Sequence, residues 1–292
     1  MLTLAFPVGS AFVGAPRGRQ VNVWKDEAGR IFARAFADGD RRRIDWSGLG
    51  VFTFVPGERA VQVWPEVGVR PALVQDMFAR VIQPLVLQAV GWQALHASGV
   101  RGPAGALVFC GLGRSGKSTL AFAAGRVPAH TQIADDAVVI AVDGAGVHVH
   151  PVPFYPKLRQ PARAFFRDAA EPAPEPPRTT GASHPNDAVP LRAVVVLCQD
   201  TGAPGDPRLV AVSSAAAFSS LLRHAHCFDD DDPVERKRLV EAYLAIAECV
   251  PVYDLRYRPD FRGLPNLAAT ALRATSHPAS PSDDLRVRLQ LA

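Results

Sequence analysis

The sequence predicts an α/β protein, with a mixed β-sheet around a glycine-rich turn, a small N-terminal antiparallel β unit and C-terminal helices. Three observations carry this prediction. The apolar run Gly105–Cys110 passes directly into Gly111-Leu-Gly-Arg-Ser-Gly-Lys-Ser118 and then into helical spacing. Two hairpin signals stand within the first 70 residues, and the last third of the chain is patterned as helices around one returning strand.

Taken in order, Val21-Asn-Val-Trp24 and Ile31–Phe36 flank Asp26-Glu-Ala-Gly29, a turn-forming stretch. Val51–Val55 and Ala60–Trp64 flank Pro56-Gly-Glu-Arg59 in the same way. Arg41-Arg42-Arg43 between the two pairs is read as a hairpin or loop cluster. Residues 71–92 carry apolar positions at Leu73, Val74, Phe78, Val81, Ile82, Leu85, Val86 and Val90, a helical spacing that Pro84 kinks or divides.

Leu95–Val100 and Gly105–Cys110 read as strands joined by a turn at Arg101-Gly-Pro103. A helix is expected from Ser118 to Gly125, then strands at Thr131–Ala134, Ala137–Val142, Val147–Val152, Ala193–Leu197 and Leu209–Val212. Residues 171–190 hold six prolines and are expected to form a loop that stays idle or orders over substrate. Ala215–Ala225 reads as a helix. Asp232-Pro-Val-Glu235 starts another that runs to about Cys249, because it sets an acceptor at the N-cap, proline in the first turn and an acid at the third position. Val250–Arg256 returns as a strand and Leu264–Ala274 as a helix. The expected division is a small β region (1–70), a catalytic domain (71–275) and a polar tail (276–292).

Bulk composition narrows the class. A chain of 292 residues that is 48% hydrophobic can bury a sizeable core, and 26 prolines with 23 glycines suit a loop-rich α/β enzyme. A net charge of +4, dispersed among acids, gives no nucleic-acid footprint. The four cysteines form no CxxC pair, and Cys110 and Cys198 sit in apolar runs as small hydrophobes. No apolar run approaches the roughly 18 residues of a membrane span, so no membrane partner and a cytoplasmic setting are expected.

The glycine-rich turn has the chemistry of a phosphate cradle. Gly111, Gly116, Lys117 and Ser118 fit G-x-x-x-x-G-K-[ST]. Glycines let main-chain N–H groups of the turn, from Gly113, Arg114, Ser115, Gly116 and on to Thr119, point at phosphate oxygens at a helix start. Lys117 supplies a compact charge for the β- and γ-phosphates, and the Ser118 hydroxyl a ligand for Mg²⁺. The chain uses only four lysines (Lys25, Lys117, Lys157 and Lys237) and takes arginine elsewhere, so lysine here runs against its own habit. Asp135-Asp136 closes the strand after the cradle, where one acid can serve the metal and the other accept a proton.

Together, Leu95-His96-Ala-Ser, the cradle and Ile133-Ala-Asp-Asp-Ala-Val138 resemble the catalytic domain of the HPr serine kinase/phosphorylases and their smaller bacterial relatives. The resemblance covers roughly residues 90–150 well and the C-terminal helices loosely. It implies an HPr-kinase-like P-loop core and an ATP-dependent serine kinase using Mg²⁺, with GTP as another donor. In it Asp135 is the general base, Asp136 holds Mg²⁺ with Ser118, and His96 tunes Asp135. The acceptor would be a serine of a peptide or protein, and the smaller relatives resemble kinases of ribosomal peptide precursors such as lasso-peptide precursors. The family forms rings of subunits, which implies a homo-oligomer. The family's glycine-rich signature downstream of the aspartates has no counterpart. Pro151–Arg159 stands there instead, with Lys157 and Arg159 as candidate phosphate or substrate contacts or as an ordinary turn. A small-metabolite kinase and a nucleotide-sensing module that does not turn over are the alternatives.

Lesser signals read as structural. His148 and His150 share a strand face at a spacing that metals accept, but no third ligand is near in sequence. His224, His226 and Cys227 invite the same suspicion. Asp229–Asp232 precedes a helix, which Asp232 caps.

Overall fold

The computed structural model describes residues 2–6, 18–26, 28–156, 158–168, 188–202, 205–229 and 231–275. Most of the proline-rich 171–190 segment, Lys157 and the 276–292 tail lie outside the described residues. The fold is mixed α/β, in two compact units: residues 1–92 with 226–239, and residues 93–225 with 240–292. Residues 71–92 and 226–239 thus cluster with the N-terminal sheet.

Among the described residues the first unit holds six strands: β1 (Thr3–Ala5), β2 (Arg19–Lys25), β3 (Ile31–Asp38), β4 (Arg41–Trp46), β5 (Gly50–Phe54) and β6 (Ala60–Pro65). Their order is β1-β6-β5-β4-β3-β2, antiparallel throughout except that β1 runs parallel to β6. Alternation fixes the register: Ile44, Phe52, Val61 and Val63 are fully enclosed. Of the two readings of the arginine cluster the hairpin holds: Arg41–Arg43 open β4, paired with β3 across a turn at Gly39-Asp40. Arg43 pairs with Asp45 on one side of β4, while Ile44 between them points into the core. Burying such a side chain is worth about 1.5–3 kcal/mol, enough to hold charged neighbours in a strand.

Helix α1 (Pro71–Met77), a π-helical turn (Phe78–Ile82) and α2 (Gln83–Ala89) complete that core with Val74, Phe78, Ile82, Leu85 and Val86. The π turn ends two residues ahead of Pro84, the second residue of α2. Proline lacks an N–H and crowds the carbonyl four residues back. The widened turn, with the Gln83 N–H reaching Phe78 O, makes room for it.

Among the described residues the second unit is built on nine strands, beginning with β7 (Gln93–Leu95), β8 (Ser98–Gly102) and β9 (Gly105–Cys110). Helix α3 (Lys117–Ala124) is followed by β10 (Thr131–Ala134), β11 (Val138–Asp143), β12 (Gly146–His150), helix α4 (Gln160–Asp168) and β13 (Val189–Gln199). Then come β14 (Arg208–Ala211), α5 (Ser214–Leu222), α6 (Pro233–Cys249, whose residues to Leu239 cluster with the first unit), β15 (Val252–Tyr257) and α7 (Leu264–Leu272). The main path is β10-β8-β9-β13-β12-β11-β7, with β15 beside β13 and β14 beside β15. β9, β13 and β15 are mutually parallel neighbours. Val108, Phe109, Val194 and Val195 in β9 and β13 are fully buried, as strands covered on both faces must be.

Two sequence expectations need correction in this unit, and one element was not anticipated. Leu95–Val100 is two strands, because the chain changes partners at His96-Ala97: β7 pairs with β11, β8 with β9 and β10. Val189 and Pro190 belong to β13 rather than to a loop, since proline is tolerated at a strand start. Helix α4 had no clear sequence signal. Its Phe165 and Phe166 pack against the core that includes Leu120, Leu255 and Leu267. As expected, Asp232 caps α6, accepting the N–H groups of Val234 (2.8 Å) and Glu235 (3.4 Å). No described helix is long and apolar enough to cross a membrane.

Candidate functional site

The parallel strands β9 and β13, with β15 outside them, set the site. β9 is buried along its whole length and ends at Cys110, so the chain leaves the sheet at Gly111 and enters α3 at Lys117. The turn between them is tight. Gly111 has φ +149°, and a Cβ there would meet Ser115 Oγ at 2.6 Å and Leu197 Cβ at 3.1 Å, so only glycine fits. Gly116, at φ +86°, is the residue from which α3 starts, and its carbonyl accepts the Leu120 N–H at 2.8 Å. Leu112, Gly113 and Arg114 are exposed at the tip, while Ser118 and Thr119 in the first turn of α3 are half-buried.

Lys117 folds back over this turn. Its ammonium donates to Gly111 O (2.9 Å) and Leu112 O (3.2 Å), and the residue is 8% exposed. Burial pulls its pKa below the ordinary lysine value, opposed by the nearby Cys110, Asp136 and Asp135. Cys110 is a buried thiol, pushed up to about 12 by desolvation. Ser115 is enclosed, and its Oγ has no hydrogen-bond partner among the described residues.

The aspartates lie within electrostatic reach of Lys117. β10 ends at Ala134 beside β8, and the chain turns sharply to reach β11 beside β7, with Asp136 at φ +65°. Aspartate is among the few residues that adopt this region readily. Asp135 is buried and accepts a hydrogen bond from Ser98 Oγ at 2.7 Å. Asp136 is half-buried.

His96 sits at the break between β7 and β8, its main-chain N–H on His224 O at 2.7 Å. Its side chain keeps exposed surface, yet surrounding protein and Lys117 lower its pKa, against the pull of Asp136, Asp135 and a hydrogen bond with the Asp136 main chain. His224 is buried and held neutral, its pKa lowered to about 4 by desolvation and by Lys117, His96 and Arg223.

Lys117, Asp135, Asp136 and His96 are therefore within electrostatic reach of one another. Arg159 is exposed just ahead of α4 and no contact ties it to this group among the described residues; Lys157 is not described. His148 and His150 stay a half-buried strand face, and no described group of three or more His, Cys, Asp or Glu could hold a metal. Asp229 is buried and takes the Arg19 guanidinium at 2.7 Å within the first unit. Four neighbours of the site escaped the sequence analysis: Ser98, His224, Gln199 and Tyr257. Ser98 stands two residues after His96 in the same quoted run, and alternation on a strand would have turned it to the same face. His224 stood out in the sequence only beside His226 and Cys227, and nothing local marks Gln199 or Tyr257.

No family model matches this chain, and no curated protein matches its sequence. Among solved structures, the Hpr(Ser) kinase/phosphatase from Coxiella burnetii is similar at 13% identity and a TM-score of 0.31, over 62% of this chain and 94% of that one. A superposition this loose assigns no activity.

Proposed function

We propose that the chain is an ATP-dependent kinase that transfers the γ-phosphate to a serine hydroxyl of a peptide or protein. The observation that carries this is the buried Lys117 ammonium, folded over a strand-to-helix glycine turn within electrostatic reach of a buried and a half-buried aspartate. The residues fit a phosphate group. The Ser115 hydroxyl is enclosed without a partner among the described residues, Gly111 leaves no room for a side chain, and Lys117 spends its donors on two carbonyls it can exchange for phosphate oxygens.

In this assignment Lys117 and the main-chain N–H groups from Gly113 to Thr119 hold the phosphates at the start of α3. Ser118 and Asp136 would hold Mg²⁺, whose share is to neutralise charge on the β- and γ-phosphate oxygens. A cation held this way needs few protein ligands, because substrate phosphates and water fill its shell. Asp135 takes the proton of the acceptor serine as the seryl oxygen bonds to the γ-phosphorus and the bond to the β-phosphate oxygen breaks. Ser98 occupies Oδ1 of Asp135 and so fixes the carboxylate plane. His96, uncharged at neutral pH, adds no competing cation beside it. GTP is the alternative donor.

The test is incubation of the purified protein with γ-labelled ATP and Mg²⁺, alongside the peptides and proteins encoded next to its gene. Label on a serine of one of them supports the proposal. ATP bound tightly with no labelled product favours the nucleotide-sensing module instead.

A further inference from the structure

We propose that Tyr257 is a positioning residue for the glycine turn, locking the Ser115–Gly116 peptide so that the Gly116 N–H faces away from β15. The identity of the ligand rests on the kinase proposal above; the anchor itself rests on geometry. Parallel strands end together, and the register sets Gln199 of β13 beside Tyr257 of β15, with Val196 of β13 beside Cys110 of β9. From that common end two side chains reach the turn. The Tyr257 hydroxyl donates to Ser115 O, and Gln199 Nε2 donates to Arg114 O at 3.4 Å.

The consequence follows from peptide geometry. In a trans peptide the C=O and the following N–H point in opposite directions, and the described chain has no cis bond. Holding Ser115 O against β15 therefore turns the Gly116 N–H to the other side. Gly116 is where such a hold matters, because glycine alone at φ +86° leaves the adjoining peptide free to flip. Tyr257 is well placed to supply it. It is 7% exposed, so its hydroxyl has little water to bond instead. Burial also raises its pKa, which keeps the proton on the oxygen. An anchor of this kind aligns a phosphate donor before the ligand arrives, and touches no substrate itself.

The experiment compares wild type with Tyr257→Phe, which keeps the ring in the core and removes only the donor. Two readouts are taken well below the unfolding midpoint: the amide signal and hydrogen exchange of Gly116 in nucleotide-free protein, and the affinity for ATP with Mg²⁺. Loss of one such bond predicts a changed Gly116 amide and about threefold to tenfold weaker ATP binding. A lowered unfolding midpoint with both readouts unchanged overturns the proposal, since Tyr257 would then only fill space. Wild type that binds no ATP defeats the kinase proposal, while the Gly116 amide still decides the anchor: changed in Tyr257→Phe it stands, unchanged it falls. Should Tyr257→Phe not fold, Gln199→Leu at an exposed position replaces it, with a change in the same direction of about twofold.

Discussion

Ser98 and Asp135 meet across the second unit through a 2.7 Å hydrogen bond, with Ser98 wholly enclosed and Asp135 only 4% exposed. A buried carboxylate is costly without donors, and this hydroxyl from β8 is one it depends on. Ser98→Ala should destabilise the protein by about 1.5–3 kcal/mol, the range for a bond to a charged group. Urea unfolding checks this, with a lower midpoint and an unchanged m-value expected. Under the kinase proposal the same variant slows transfer more than it weakens ATP binding.

Gly111 and Ser115 should couple. Gly111→Ala forces a Cβ to within 2.6 Å of Ser115 Oγ and strains φ at +149°, so nucleotide affinity and stability both fall. Ser115→Ala removes the clashing hydroxyl. The double variant should recover part of the stability loss, on the order of 1 kcal/mol, leaving the backbone strain and the close approach to Leu197 Cβ at 3.1 Å as the remainder. Strict additivity in a double-mutant cycle would contradict the close approach.

Stability should fall with acid between about pH 6.5 and pH 4. The His224 pKa in the folded chain is lowered to about 4 while the unfolded value is near 6.5. In that window the unfolded chain binds the extra proton. The contribution is therefore complete above pH 6.5 and is lost as pH falls, with a slope of up to about 1.4 kcal/mol per unit. His96 and His150 shift in the same direction, and His224 is the enclosed one. His224→Gln should flatten the profile measured by denaturation at stepped pH.

Gln88 holds the 226–239 segment to the first unit. Its Oε1 accepts the buried Phe228 N–H at 2.7 Å, and the Phe228 ring meets Phe54 edge-on at 5.6 Å. Gln88→Leu strands that N–H and should cost about 1–3 kcal/mol. Amide exchange at Phe228 should rise well above that of the second unit's core.

Much of this was legible in sequence, for identifiable reasons. Gly105–Cys110, the turn after it and Thr131–Ala134 fall where expected, because a fully apolar run and a glycine motif are local signals. Asp232 was legible as a cap for the same reason. What escaped depends on partners far along the chain. The His96 break needs His224, 128 residues later, to take its N–H. Arg41–Arg43 hid a strand because its single core residue, Ile44, follows three charges. Tyr257 reads as an ordinary strand aromatic until parallel pairing carries it to the end of the sheet where the turn lies.

The central claim is tested most directly by phosphoryl transfer in Asp135→Asn beside wild type, using γ-labelled ATP, Mg²⁺ and the serine-containing peptide that wild type labels. The amide keeps the shape and an oxygen for Ser98 but cannot take a proton. The account predicts that transfer disappears while ATP binding stays within about twofold, and that Lys117→Ala instead weakens binding about tenfold to hundredfold. Equal transfer by Asp135→Asn and wild type would contradict it.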